Sequence, residues 1–517
     1  MQRFFRKILR FFVSRTTMVV LLILLQLVSV VLLFGILGEY FVQFQLIGTV
    51  ISFFVILFIL NKKENPAYKL AWVVPISVFP MVTGLLYIIL GGNRSSRQFI
   101  KKLTQANEDT AEILSQDQEI LDELTENSVY AAKQATYLIN GPKFPVYKNT
   151  ETTYYPTGEE FFVKLVEELK KAKDYIFMEF FIVEEGLMWD TILAILKMKV
   201  DEGVDVRFMY DDLGSLFTLP FGYFKTLRDY GIKCVSFNSF IPLLSLRHNN
   251  RDHRKIVVID GKTAFTGGCN LADEYINAFE KYGVWKDCMM MIRGDAVYSF
   301  TIMFLQTWKY FSGKAYEHDK DFYKYKTPSQ IKPNAKGYIL PYGDSPLDEE
   351  ATGEIVYLNL ISNAKKYIYI MTPYFIVDDT MISALEVAAK SGVDVRIMTP
   401  HIADKVYVHT ITRSNYERLT HAGIRVFEYT PGFVHAKTFV VDDEFATVGT
   451  VNLDYRSFYL HFECGVWMYR SAAMQDVKRD FLETQEICME ILYENTKNVN
   501  FFIRLMRSVL SVFAPLM

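Results

Sequence analysis

The chain has 517 residues, half of them hydrophobic and 15% aromatic, with a formal net charge of −3. That length exceeds one core and implies several domains, and the balanced charge lacks the basic footprint of a polynucleotide binder, which disfavours nucleic acid as a partner. Its five cysteines show no Cys-x-x-Cys spacing and no metal pattern with histidine, so neither a disulfide framework, a metal nor a cofactor is expected.

Three apolar runs open the chain. Residues 18–38 carry no charge and would span about 30 Å as a helix, enough for a bilayer core. Residues 41–60 form a second run, and the two read as a hairpin of spanning helices. The third, 70–90, is interrupted by Pro75, Pro80 and Gly84 and reads as a span or a re-entrant segment. Such a succession does not fit a cleaved signal peptide. Arg3, Arg6, Lys7, Arg10 and Arg15 precede the first run, and Lys62, Lys63 and Lys69 separate the second from the third, which places both stretches in the cytoplasm. Three true spans would put the remainder outside, and a kinked third segment would keep it inside; both arrangements stay open. A multi-pass protein of the cell membrane is expected, with 1–95 as its membrane region and 96–145 as a charged helical connector.

A long internal repeat follows. Ala172-Lys173-Asp174-Tyr175-Ile176 matches Ala364-Lys365-Lys366-Tyr367-Ile368, and Gly-Val-Asp-Val-Arg occurs at 203–207 and again at 392–396. Each copy reads as β-α-β with apolar strands buried on both faces, the α/β pattern. The repeat is of whole-domain length, giving domains at 146–325 and 326–500. Two similar domains commonly pack about a pseudo-two-fold axis, which would bring equivalent residues to one shared pocket. In 501–517, Phe502, Leu505, Val509 and Phe513 can share one face opposite Arg504, Arg507, Ser508 and Ser511, as in an interfacial amphipathic helix or a helix capping a core.

Within the repeat stands one motif, twice. His253-Arg254-Lys255 runs through an apolar strand to Asp260, and His435-Ala436-Lys437 runs likewise to Asp442. On a strand, residues i and i+2 face one way, so each His–Lys pair can enter one pocket. Asn270 and Asn452 follow at similar distances, as do Gly268 and Thr450. Between the first β-α-β unit and His253, 237–246 holds an apolar run that could dip into a bilayer or pack beneath the domain.

These motifs resemble the phospholipase D superfamily, and with the hydrophobic N-terminus the chain is similar to the bacterial cardiolipin synthases. The likeness runs from about residue 60 to the end, strongest at 66–92, at 253–270 with Trp285-Lys286-Asp287, and at 435–463. It implies two tandem phospholipase D-like α/β domains and a phosphatidyl transfer between two phosphatidylglycerol molecules through a phosphohistidine. His253 would be the nucleophile and His435 the general acid/base, or the reverse. Lys255 and Lys437, aided by Asn270, Asn452 and the backbone near Gly268 and Thr450, would hold the phosphate oxygens without a metal. Asp287 and Glu463 occupy the places of the acids that fix the imidazole tautomers. Asp260 and Asp442 belong to the catalytic motif, yet their place at the far end of a strand suggests a turn-tying role. Where relatives often carry asparagine before Phe-Glu, this chain has His461, expected to be structural. A hydrolytic phospholipase D, or a transferase using another alcohol, would need the same residues.

Overall fold

The computed structural model describes residues 41–90, 113–238, 250–312, 322–327, 335–348, 350–497 and 499–516, with Val28 and Lys101 besides. The first apolar run (Val28 apart), the start of the connector and most of the apolar stretch at 237–246 lie outside the described residues.

One compact unit holds the N-terminal helices α1 (Phe41–Leu60), α2 (Pro66–Val78) and α3 (Pro80–Leu90). Asn65 caps α2, its side chain accepting from the Ala67 N–H at 2.9 Å, and Pro66 sits where a missing N–H costs nothing. The third apolar run is not one span. Pro80 pushes Phe79 out of helical geometry (φ −130°, ψ 70°), so the run divides into helices of 13 and 11 residues. Ser52 of α1 donates to the Pro80 carbonyl at 2.6 Å, and Gly84 leaves room for that hydroxyl. Leu46, Ile47, Phe53, Phe54 and Phe58 project outward from α1. The side chains of α1 are described only from Leu46 onward, and among the described residues no helix is long and apolar enough to cross a membrane.

The second unit contains two large sheets. Its first half supplies β1 (Thr150–Tyr155), β2 (Tyr175–Phe180), β3 (Asp205–Asp211), β4 (Lys233–Phe237), β5 (Arg251–Asp252), β6 (Ile256–Ile259), β7 (Thr263–Gly267), β8 (Val284–Lys286) and β9 (Met289–Gly294). The second half supplies β10 (Tyr338–Asp344), β11 (Tyr367–Met371), β12 (Phe375–Ile376), β13 (Asp394–Pro400), β14 (Arg425–Tyr429), β15 (Gly432–Val434), β16 (Thr438–Val441), β17 (Phe445–Gly449), β18 (Leu453–Asp454), β19 (His461–Tyr469) and β20 (Cys488–Ile491). The sheets run β1-β9-β7-β6-β2-β3-β4 and β10-β19-β17-β16-β11-β13-β14, the latter extended by β20. Strand for strand, the order is the same. This is a mixed α/β fold built twice.

The repeated Gly-Val-Asp-Val-Arg now has a physical meaning. Gly203 and Gly392 adopt positive φ just after a crossover helix, where a side chain would be strained. Val204 and Val393 are buried, and Asp205–Arg207 and Asp394–Arg396 pair along β3 and β13 at 2.7 and 2.5 Å. Helix α4 (Val297–Ser312) is buried along most of its length and packs on β2, β4 and β6 of the first half and on β10 of the second. Phe304 stacks on Phe177 with centroids 4.9 Å apart, within an apolar core that takes residues from both halves. At the chain's end, the helix Phe501–Phe513 has no buried residue, and Phe502, Leu505 and Val509 are exposed.

Candidate active site

Two short parallel pairings between the halves build the site. β15 runs beside β8, with Phe433 opposite Trp285 and Val434 opposite Lys286. β5 runs beside β19, with Arg251 opposite His461 and Asp252 opposite Phe462. One step further, His435 comes opposite Asp287 and His253 opposite Glu463. The backbone confirms that register: the His435 N–H donates to the Lys286 carbonyl at 2.6 Å and the His253 N–H to the Phe462 carbonyl at 2.9 Å.

Each histidine is therefore held by the other half's acid. His253 Nδ1 lies 2.9 Å from both Glu463 oxygens, and His435 Nδ1 lies 2.6 Å from Asp287 Oδ2. Both carboxylates are fully buried. An acceptor at Nδ1 keeps the proton there and leaves the Nε2 lone pair free. The positions of Asp287 and Glu463 in the chain were legible, but this exchange of partners was not.

Lys255 and Lys437 are buried beside the imidazoles; Lys255 Nζ donates to the His253 carbonyl at 2.6 Å and Lys437 Nζ to that of His435 at 2.5 Å. Lys437 Nζ also lies 2.9 and 3.0 Å from the two His435 ring nitrogens. Burial, then the field of Lys437, lowers Lys255 to about 7. Burial lowers His435 to about 4, Lys437 adding to the fall and Asp287 opposing it. His253 is held well below the ordinary imidazole range by burial, then by Lys255, Lys437 and His435. Burial raises the Asp287 carboxyl, but His435 and Lys437 outweigh it and hold the group below the usual range. Reciprocal fields of this kind require both His–Lys sets to share one pocket.

Several expectations change on contact with the structure. Gly268 does not open a path for phosphate: a Cβ there would collide with Asp287 Oδ1, so the glycine makes room for the acid. Thr450, at the equivalent place, donates its hydroxyl to Glu463 Oε2 and accepts from the Cys464 N–H at 3.0 Å, so it fixes the other acid. Asn270 accepts from the Ile182 N–H at 3.0 Å and donates to the Tyr275 hydroxyl at 2.7 Å, which commits its oxygen and one of its two amide N–H groups. Asn452 is buried, and its Oδ1 has no hydrogen-bond partner. Asp260 takes the N–H groups of Lys173, Asp174 and Tyr175, and Asp442 those of Lys365, Lys366 and Tyr367. Both lock a turn from a left-handed backbone conformation (φ 52° and 58°) and do not touch the imidazoles.

The aromatic walls were not legible. Trp285, Tyr275 and Phe433 surround the His435 ring at 5.3, 5.6 and 6.0 Å, and Phe181 lies 5.1 Å from His253. The only signal was position: Trp285 stands two residues before an acid, as His461 does.

Two imidazoles with opposed acids thus stand beside two buried lysines on a doubled α/β scaffold. A family model described as "Cardiolipin synthase, PLD-like domain" matches residues 165–287 and 357–484, and one described as "Phospholipase_D-nuclease N-terminal" matches 49–92. A cardiolipin synthase of Alkalihalophilus pseudofirmus is 34% identical over 92% of this chain and 95% of its own length, and one from a Geobacillus species is 34% identical over 88% and 90%. An uncharacterized protein of Streptococcus mutans is 44% identical over 89% and 99%. Among solved structures, a phosphatidylserine synthase of Haemophilus influenzae shares the fold, with a TM-score of 0.56 at 18% identity over 74% of this chain and 97% of that one. The chain belongs to the cardiolipin synthase family of phospholipase D-like proteins.

Proposed function

We propose that this chain is a phosphatidyltransferase that joins two phosphatidylglycerol molecules into cardiolipin and releases glycerol. The observation that carries the reading is the pair of crossed His–acid contacts beside two buried lysines. A phosphodiester anion repels nucleophiles, and Lys255 and Lys437 offset that charge in a site of low dielectric.

His253 is the nucleophile in this reading and His435 the acid/base. The assignment follows the family resemblance, and Asp287 beside His435 draws that imidazole back toward protonation. A bound phosphate anion screens the lysines and raises His435 further, readying it to carry a proton. The His253 Nε2 lone pair then forms the N–P bond as the P–O bond to glycerol breaks, and the His435 proton passes to the leaving oxygen. In the second step a hydroxyl of another phosphatidylglycerol gives its proton to His435, attacks phosphorus and breaks the N–P bond. Both histidines return to their starting state.

The same strand order in both halves and the paired β5–β19 and β8–β15 contacts support a pseudo-two-fold arrangement. We place the domains at 146–325 and 326–500, after a membrane region at 1–95 and a connector at 96–145. Multi-pass insertion is supported by the uncharged run at 18–38 and the outward apolar side chains of α1. The exposed apolar face of Phe501–Phe513 fits a helix lying in the interface. Purified protein given phosphatidylglycerol in mixed micelles is expected to yield cardiolipin and glycerol in equal amounts. Phosphatidic acid without cardiolipin would instead assign water as the acceptor.

A further inference from the structure

His461 lies against the proposed nucleophile, its ring centroid 5.4 Å from that of His253. It is buried, and neither ring nitrogen has a hydrogen-bond partner. Nδ1 stands 3.6 Å from Glu463 Oε1, beyond hydrogen-bond reach. A buried imidazole with two idle nitrogens is costly unless something else uses them. The equivalent position in the first half is Trp285, likewise against the catalytic ring, but an indole is a donor only and offers no lone pair. The second acid's side of the site thus differs in kind from the first.

His253, His461 and Glu463 each offer a ligand atom, and these atoms lie within 4.8 Å of one another. Two imidazoles and one carboxylate form a zinc donor set that leaves a fourth position open. Magnesium and calcium ask for six or more oxygens and do not suit it.

We infer that His253, His461 and Glu463 form a binding site for Zn2+, and that its occupation switches the transfer off. The inhibitory part rests on the reading of His253 as a reacting imidazole. A cation on Nε2 takes the lone pair that would attack phosphorus. A cation on Nδ1 displaces the contact to Glu463 and leaves the ring proton on Nε2, which masks the same lone pair. Sequence spacing disclosed no metal pattern because the ligands come from both halves.

The test uses the full chain in detergent micelles, stripped of metal and titrated with Zn2+ by equilibrium dialysis and elemental analysis. One equivalent is expected to bind, with inhibition of cardiolipin formation over the same range and recovery on adding chelator. His461→Asn should weaken binding by more than the roughly tenfold that an outer-shell partner carries, and move the inhibition midpoint by the same factor. Unchanged Zn2+ affinity in H461N, or equal inhibition by Mg2+, would overturn the inference. Zinc-edge absorption on the unmutated protein guards against a variant that fails to fold: nitrogen and oxygen ligands at about 2.0–2.2 Å support the site, and sulfur ligands overturn it. Because binding is read without turnover, loss of Zn2+ binding with cardiolipin still formed removes only this inference, and binding with no transfer removes the proposed function and the inhibitory part while leaving the Zn2+ site.

Discussion

The two halves of the catalytic unit share a strand order but not a chemistry. The first contributes Gly268 and the short acid Asp287; the second contributes Thr450 and the longer Glu463. Asp287 meets His435 through one oxygen at 2.6 Å, whereas Glu463 meets His253 through both at 2.9 Å. Lys437 crowds the His435 ring nitrogens, while Lys255 reaches only the His253 carbonyl among hydrogen-bond partners. A duplicated scaffold thus supplies the positions, and substitutions at equivalent places divide the labour. One imidazole meets its acid through two oxygens, and the other meets its acid through one while a lysine lies against its ring.

The largest effects should come from the imidazoles. His253→Ala and His435→Ala are each expected to lower transfer by at least about a thousandfold, with the protein still folded by circular dichroism. Substantial turnover in either would undo the two-imidazole mechanism. Gly268→Ala and Thr450→Val sharpen the contrast between the halves. The first forces Asp287 aside and should cost roughly a hundredfold in kcat, the scale of an ångström's misplacement. The second removes the hydroxyl's bonds to Glu463 and to the Cys464 backbone without pushing the acid aside, and should cost about tenfold. Equal effects would mean that the two acids are held alike.

Stability should follow other residues. Asp260→Ala and Asp442→Ala each strand backbone N–H groups at a turn and should cost about 2 kcal/mol in unfolding, seen as a lower Tm with kcat per folded molecule largely kept. Loss of activity without loss of stability would return these aspartates to the chemistry. Buried His435 is lowered to about 4, below the ordinary 6.5. Its contribution is therefore fully present above pH 6.5 and is lost as pH falls from 6.5 toward 4, where the unfolded chain binds a proton that the folded chain refuses. Tm should decline through that window, and His435→Asn should flatten the decline. A steeper decline in the variant would contradict the buried, neutral state.

Much of this was legible in the residues. Two copies of His-x-Lys in apolar strands disclosed the α/β repeat and the four central groups, and the distal location of Asp260 and Asp442 foretold their turns. Local sequence could not disclose contacts set by the register of β5 on β19 and β15 on β8, strands of two and three residues with no periodicity to read. The crossed acids depend on that meeting. The interruption of the third apolar run was legible in its prolines: the helix ends before Phe79 and Pro80 opens the next.

The crossed pairing is tested most directly with a phosphatidyl ester of p-nitrophenol, whose leaving group needs no proton. Asp287→Asn should behave like His435→Ala, each releasing one equivalent of p-nitrophenol per enzyme and stalling at the phosphohistidine. Glu463→Gln should behave like His253→Ala and release almost none. Exchange of the two histidines' roles would swap the groups and leave each pair intact. Pairing of Asp287→Asn with His253→Ala, and of Glu463→Gln with His435→Ala, would contradict the account.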